Sequence, residues 1–318
     1  MINLYCPMNK FPVSAFSLQT KEYSSSMTKQ GFENRMYDIY SERHFDGNNF
    51  FYPFHYRMQW DFDNAVLLGI ADTDAFNSEY LEKLRSTPYK NFVVPTEFIR
   101  GIFGVPRTKV VPHAISSSLE TFSRNRPTIT EEHKIPKFYI NASHSWHRRG
   151  TDIAIKALDE VAKDGYEFEA VLRIWNAGDV QVKRKWLKIV SGFLADDVHY
   201  KYLSGADYYL HPVRGGSFEI SILEALVLGV TPIITDAPPF NEVPLKRDDV
   251  YYISPVHKVT AWQNLWHTGQ MWEVDVNNTA VVIEKAFERG KREIDVESYY
   301  KKYGVDVISR QLAEIINS

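Results

Sequence analysis

The sequence predicts an α/β protein built of two Rossmann-like domains, each an open parallel sheet with helices on both faces. Three observations point there. The chain has 318 residues, enough for about two domains at roughly 150 residues each. Short apolar runs bounded by polar residues alternate with helical patterns along most of it. A polar, proline-containing stretch at 116–135 reads as a connection between the halves. The expected organisation is a first domain over 1–115, a linker over 116–135 and a second domain over 136–318, whose last helix can pack back on the first domain.

The elements are taken in order. Residues 2–6 (INLYC) read as a strand, 8–14 as a loop, and 17–31 as a helix closed by Gly31. The apolar run 64–70 reads as a buried strand and 76–86 as a helix. Residues 91–95 form a strand, followed by a helix that Thr96 can cap. Residues 109–115 read as a strand running into a loop. In the second half, strand 137–143 leads into a loop holding His144, Trp146 and His147. Helix 151–165, strand 168–175 and helix 182–194 follow. The lysines and arginine of that last segment then form the solvated side of an amphipathic helix, with a membrane or nucleic-acid contact as the alternative. The run 206–212, a helix from about 217 to 228 and the run 231–236 complete the alternation. In such sheets ligands bind beyond the carboxyl ends of the strands, so the expected site is the cleft between the domains.

Composition bounds the rest. Lys plus Arg number 37 and Asp plus Glu 40, a formal charge of −3, which argues against a protein whose whole surface binds nucleic acid. Hydrophobic residues at 44% and charged residues at 24% exclude a mainly disordered chain. The aromatic content of 14% reads first as large cores and otherwise as a stacking surface. Cys6 is the single cysteine, so neither an intramolecular disulfide nor a cysteine-based metal site can form. No run of 18 apolar residues suggests a membrane span, and the first residues do not resemble a secretion signal. A cytoplasmic location is the expectation.

The most informative stretch is ADYYLHPVRGGSFEISILEALVLGVTPIITD, 206–236. A strand gives way to a Gly215-Gly216 turn that opens a helix, and such a turn can present amides to an anion. Glu224 sits about two turns into a helix that reads as buried. An unpaired buried carboxylate costs several kcal/mol, so Glu224 is either bound to something or satisfied by neighbouring amides. Asp72 and Asp74 follow the strand at 64–70, where they can line a cleft or form an Asx turn.

This stretch resembles the signature of family 4 glycosyltransferases of the GT-B fold. Phe218, Glu224, Ala225, Leu226, Gly229, Pro232 and Glu242 fall in register with it. Residues 141–158 (NASHSWHRRGTDIAIKAL) and 91–116 (NFVVPTEFIRGIFGVPRTKVVPHAIS) are similar to two further segments of the family. The resemblance covers roughly 90–255, and the first 60 residues match loosely. It implies a retaining hexosyl- or pentosyltransferase that uses a UDP- or GDP-linked sugar, with no cofactor and no metal. Arg149 stands where the family has a diphosphate-binding lysine, with Arg148 before it. A basic pair at a helix start is disfavoured by the helix dipole unless an anion faces it. Ser143, Gly216, Ser217 and Phe218 join the implied donor-binding set, and Glu224 is implied to hold the ribose hydroxyls. His113 matches the family's Pro-His position and Ser14 is a further cleft candidate.

The sequence also departs from the family. Gly216 occupies the place of the first of two glutamates, and Glu219 that of a glycine. Glu219 is therefore either a helix-start cap or a displaced sugar contact, and it joins Asp72 and Asp74 as a catalytic candidate. The family's first-domain histidine has no match, and its glycine-rich first loop is replaced by MNKFPVSAF. The acceptor is open between a glycan, a lipid, a protein and a hydroxylated DNA base. A non-catalytic nucleotide-sugar-binding protein is the alternative.

Overall fold

The computed structural model describes the chain except residues 42–43, 45, 58–61, 127–133, 144 and 176–181, with the backbone alone at Ser143. The described residues divide into two compact units. The first comprises Met1–Ser117, Thr260–Gln270 and Tyr300–Ser318, and the second Ser118–Val259 and Met271–Tyr299. Residues 260–270 and 300–318, read from sequence as parts of the second domain, thus cluster with the first unit.

In the first unit the chain runs β1 (Ile2–Cys6), α1 (Ala15–Lys29), β2 (Asn34–Asp38), β3 (Asn48–Phe51), β4 (Ala65–Leu68), α2 (Ser78–Ser86), β5 (Asn91–Val94), α3 (Glu97–Phe103) and β6 (Thr108–Val110). The six strands lie in the order β2-β1-β3-β4-β5-β6, every pair parallel. Alternate side chains on a strand point to opposite faces, and two cores result. Ile2, Leu4, Phe50, Val66 and Val93 pack with Tyr23 and Met27 of α1 and with Ile308, Leu312 and Ile316 of the C-terminal helix, Val305–Asn317. Tyr5, Phe51, Leu67, Phe92 and Val94 pack on the other face with Leu84 of α2 and with Ile99 and Phe103 of α3. Side-chain oxygens fix the helix starts: Ser14 accepts from the Ser17 amide, Asn77 from Glu79 and Thr96 from Ile99.

The second unit continues with α4 (Ser117–Asn125), β7 (Lys137–Ser143), α5 (Thr151–Lys163), β8 (Glu169–Ile174), β9 (Leu187–Ser191), α6 (Asp196–Ser204), β10 (Tyr208–His211), α7 (Ile220–Val227), β11 (Thr231–Thr235), β12 (Tyr251–Ile253), β13 (His257–Thr260), β14 (Gln270–Glu273), α8 (Val276–Arg289) and α9 (Val296–Tyr303). Its main sheet has the order β12-β11-β10-β7-β8-β9, again wholly parallel. β13 and β14 form a separate two-stranded ribbon. Ile140, Leu172, Leu210 and Ile233 from the strands pack with Ile155 and Leu158 of α5 and Ile283 of α8.

Three sequence expectations change. The segment 182–194 is not a helix: Leu187–Ser191 is the edge strand β9, with Leu187 and Ile189 packed against the core. Lys183, Arg184 and Lys185 precede that strand, so no amphipathic basic helix exists there. The stretch 116–135 is not all connection, because α4 occupies its first half and 127–133 lie outside the described residues. The helix expected from 217 begins at Ile220, and the backbone from 212 to 219 is an irregular loop.

That loop is pressed against the start of α5. Gly150, the N-cap of α5, has φ +66°, and a Cβ placed on it would lie 1.8 Å from the Pro212 carbonyl oxygen. Gly165 also has a positive φ, +88°, but nothing within 4 Å of its Cβ position. Gly150→Ala is therefore expected to lose roughly 2–5 kcal/mol of stability, backbone strain plus overpacking. Gly165→Ala should lose only the strain, about 1–2 kcal/mol. Thermal unfolding of the two variants checks this, and equal losses would contradict the close approach.

Candidate functional site

The site is built at the carboxyl ends of β7 and β10 in the second unit, from the loops that enter α5 and α7. Arg214 joins the two loops. Its side chain is only 2% exposed. Its guanidinium donates to both Asp152 oxygens (2.7 and 2.9 Å), to the His147 carbonyl (2.7 Å) and to Glu273 (3.3 Å). Its backbone N–H donates to the Arg148 carbonyl at 2.8 Å. Burial works to raise the Asp152 pKa, but Arg214 prevails and holds it below the usual carboxylate range.

Glu219 is the centre of the cluster. Only 4% of its side chain is exposed, and it pairs with Arg149 and with Arg148 Nη1 (3.4 Å), while His211 Nε2 lies 3.4 Å away. Arg148 also donates to the Gly215 carbonyl at 2.9 Å. Burial alone would raise the Glu219 pKa. Arg149 first, then His211 and Arg148, outweigh it and hold the carboxyl well below its ordinary range. Burial lowers the His211 pKa against the pull of Glu219. Arg148 and Arg149 thus share one carboxylate at the start of α5.

This arrangement revises the cap expectation for Glu219. The residue stands at the N-cap position of α7, but its side chain makes no cap hydrogen bond. It reaches back to the arginines instead. Gly216 permits this: a Cβ there would fall 2.4 Å from Glu219 Oε1. Ser217 and Phe218 are both buried in the same loop. The Ser221 hydroxyl lies 3.4 Å from Arg149 Nη1 and accepts from Tyr209 at 2.8 Å.

Glu224 lies on α7 with 18% of its side chain exposed. Its Oε2 is 3.2 Å from His199 Nε2, and His199 Nδ1 is 2.9 Å from the Tyr139 hydroxyl. Burial pushes its pKa up, while His199 first and then Arg173 bring it below the ordinary value. Sequence analysis did not find His199, Tyr139, His211 or Arg214. Their nearest signal was His211 at the strand end before Pro212.

The other candidates lie in the first unit or outside the described atoms. The Ser143 side chain and His144 lie outside the described residues. Ser14 caps α1 and donates to the Phe11 carbonyl at 2.9 Å. His113 is buried beside Tyr52, whose hydroxyl is 3.1 Å from its Nε2, and burial lowers its pKa to about 3. Asp74 accepts from the Gln270 amide at 2.6 Å, and the Asp72 amide donates to His267 Nδ1 at 3.1 Å. His267, like His55 beside it, was not singled out by the sequence; their rings are 6.0 Å apart. Among the described residues no group of three or more His, Cys, Asp or Glu could hold a metal ion. Among them, too, no helix is long and apolar enough to cross a membrane.

Glu219 yields a stability test. Its folded pKa is depressed, so its contribution is present above the unfolded value, about 4.3, and is lost as pH falls below it. Glu219→Gln should cost of order 3 kcal/mol at pH 7, because it leaves two half-buried guanidinia without this buried carboxylate. The gap between wild type and variant in denaturant unfolding should narrow from pH 5 downward. A pH-independent gap would contradict the ionised pairing.

Residues 136–264 match the family described as glycosyl transferases group 1. A protein of Sulfolobus islandicus filamentous virus (isolate Iceland/Hveragerdi), named "Putative glycosyltransferase 45", is 32% identical over 220 residues, 67% of this chain. The match spans 60% of that relative's length. Among solved structures, a glycosyltransferase from Rickettsia africae ESF-5 superposes with a TM-score of 0.68 at 11% identity, covering 99% of this chain and 97% of its own. Anabaena HepE in complex with UDP and glucose gives 0.66 at 12% identity, covering 100% and 99%. WaaG, a glycosyltransferase involved in lipopolysaccharide biosynthesis, gives 0.59 at 13%, covering 100% of both chains. The fold is thus of the GT-B type, two Rossmann-like domains with parallel sheets, and the family match falls mainly on the second unit.

Proposed function

We propose that the protein is a retaining glycosyltransferase that moves a sugar from a UDP- or GDP-linked donor to a hydroxyl acceptor without a metal ion. The observation that carries this reading is the Arg148–Arg149 pair at the start of α5, held in place by Glu219. A sugar leaving its diphosphate develops negative charge on the phosphate oxygens and oxocarbenium character on the ring. Fixed cations and amides aimed at the phosphate stabilise that change without reorganising. In this reading Arg149 and Arg148 face the diphosphate, with Ser143 and the backbone of Gly216, Ser217 and Phe218 beside it. Glu224 accepts hydrogen bonds from the ribose. The role of Glu219 is to hold the two guanidinia rather than to touch the sugar. Asp72, Asp74 and His267 are the first unit's candidates for the acceptor hydroxyl, with His113 and Ser14 as further candidates. The HepE complex contains UDP and glucose, which supports the donor class. The acceptor stays open between a glycan, a lipid, a protein and a hydroxylated DNA base.

One observation favours a second reading, a protein that binds nucleotide sugars without transferring them. Gly216 stands where the family has its first glutamate, and Glu219 is committed to arginines. Incubating pure protein with a panel of UDP- and GDP-sugars in chelator separates the two. The first reading expects donor hydrolysis or transfer that chelation does not abolish. Binding without turnover supports the second. Activity lost in chelator and restored by Mg²⁺ or Mn²⁺ contradicts metal independence. Arg149→Ala is expected to weaken UDP or GDP binding by about 1.5–3 kcal/mol in a titration, with thermal unfolding followed in parallel because the same change exposes Glu219. Unchanged affinity would remove Arg149 from the diphosphate.

A further inference from the structure

We propose that His199 is a positioning residue for Glu224, and that Tyr139 sets the ring that does the positioning. The inference rests on the assignment of Glu224 to the ribose. His199 comes from α6, Tyr139 from β7 and Glu224 from α7, so three separate elements converge on one carboxylate. The His199 side chain is 7% exposed, and that of Tyr139 is fully buried. Glu224 is the outermost member of the chain of bonds.

The hydrogen-bond arithmetic fixes each role. An ionised carboxylate only accepts, so Nε2–H of His199 donates to Glu224 Oε2. In the neutral ring Nδ1 is then an acceptor, and the Tyr139 hydroxyl, 2.9 Å away, is the donor. Tyr139 therefore selects the tautomer that serves Glu224. Among the described residues no second hydrogen-bond donor to Glu224 is found, and Arg173 and Arg149 act on it only through charge. A free Glu side chain loses rotamer entropy when it is fixed. A carboxylate fixed before the ligand arrives spares that cost at binding. The arrangement resembles the outer-shell partners that orient metal ligands, here serving a carboxylate that meets sugar hydroxyls.

A pair of ribose hydroxyls is the feature that a positioned carboxylate reads. The test compares binding of UDP and GDP with their 2′-deoxy counterparts to wild type, Glu224→Gln, His199→Phe and His199→Gln. Wild type is expected to prefer the ribonucleotide by tenfold or more. His199→Phe keeps ring volume but removes the donor, and the preference should fall to that of Glu224→Gln. His199→Gln still offers an N–H and should recover a good part of it. The double variant His199→Phe/Glu224→Gln should discriminate no worse than Glu224→Gln alone. In wild type, ¹⁵N shifts of His199 should show protonated Nε2, and Tyr139→Phe should redistribute the tautomers. If His199→Phe folds and keeps the wild-type preference while Glu224→Gln loses it, His199 is only a packing residue and the proposal fails. If His199→Phe does not fold, a His199→Gln variant no better than Glu224→Gln overturns it equally. If Glu224→Gln itself keeps the preference, the ribose assignment is what fails, and the proposal falls with it.

Discussion

A carboxylate with almost no access to water remains ionised only when cations meet it, and Glu219 meets two. The pairing with Arg149 and Arg148 ties the entrance of α7 to the entrance of α5. Those loops come from β10 and β7, adjacent strands of one sheet. The close approach of Gly150 to Pro212 and the Arg214 contacts with Asp152 and His147 brace the same junction. Desolvation of such a cluster is costly, and buried ion pairs are often no better than apolar packing. Their presence makes more sense as fixed charge for a ligand than as a source of stability.

The same junction explains how the altered glutamate pattern can coexist with an anion site. With Gly216 in place of a larger residue, the Glu219 side chain folds back across the loop. It then holds the guanidinia in place. The two guanidinia, the loop amides and the exposed part of Glu224 lie within one unit. Arg149 and Tyr209 meet at Ser221, one turn before Glu224, so the arginine cluster and the Tyr139–His199–Glu224 chain share helix α7.

Much of this was legible in the sequence because local patterns carried it. The strand at 137–143, the helix from 151 and the run 206–236 each combine an apolar period with turn residues, and α5 and β7 follow them closely. The basic segment 182–194 was misread because Val182, Trp186 and Ile189 suit a helical period, whereas Leu187 and Ile189 suit a strand. Over so few residues the two periods are hard to separate, and tertiary packing against the core decides for β9. Long-range facts left no local mark. His199 and Glu224 are 25 residues apart, and the return of 300–318 to the first unit depends on a core supplied by α1 and the first sheet. The role of Glu219 was open between cap and sugar contact, since no spacing rule reveals two arginines 71 and 70 residues away.

The central claim is that the two loop-to-helix junctions of the second unit receive the nucleotide part of a donor. Amide hydrogen exchange, followed by mass spectrometry with and without saturating UDP and GDP, tests it most directly. The account predicts added protection confined mainly to 145–151 and 213–224, the segments carrying Arg148, Arg149, Glu219 and Glu224. Protection elsewhere in the second unit with none at these segments, or no protection with either nucleotide, would contradict it.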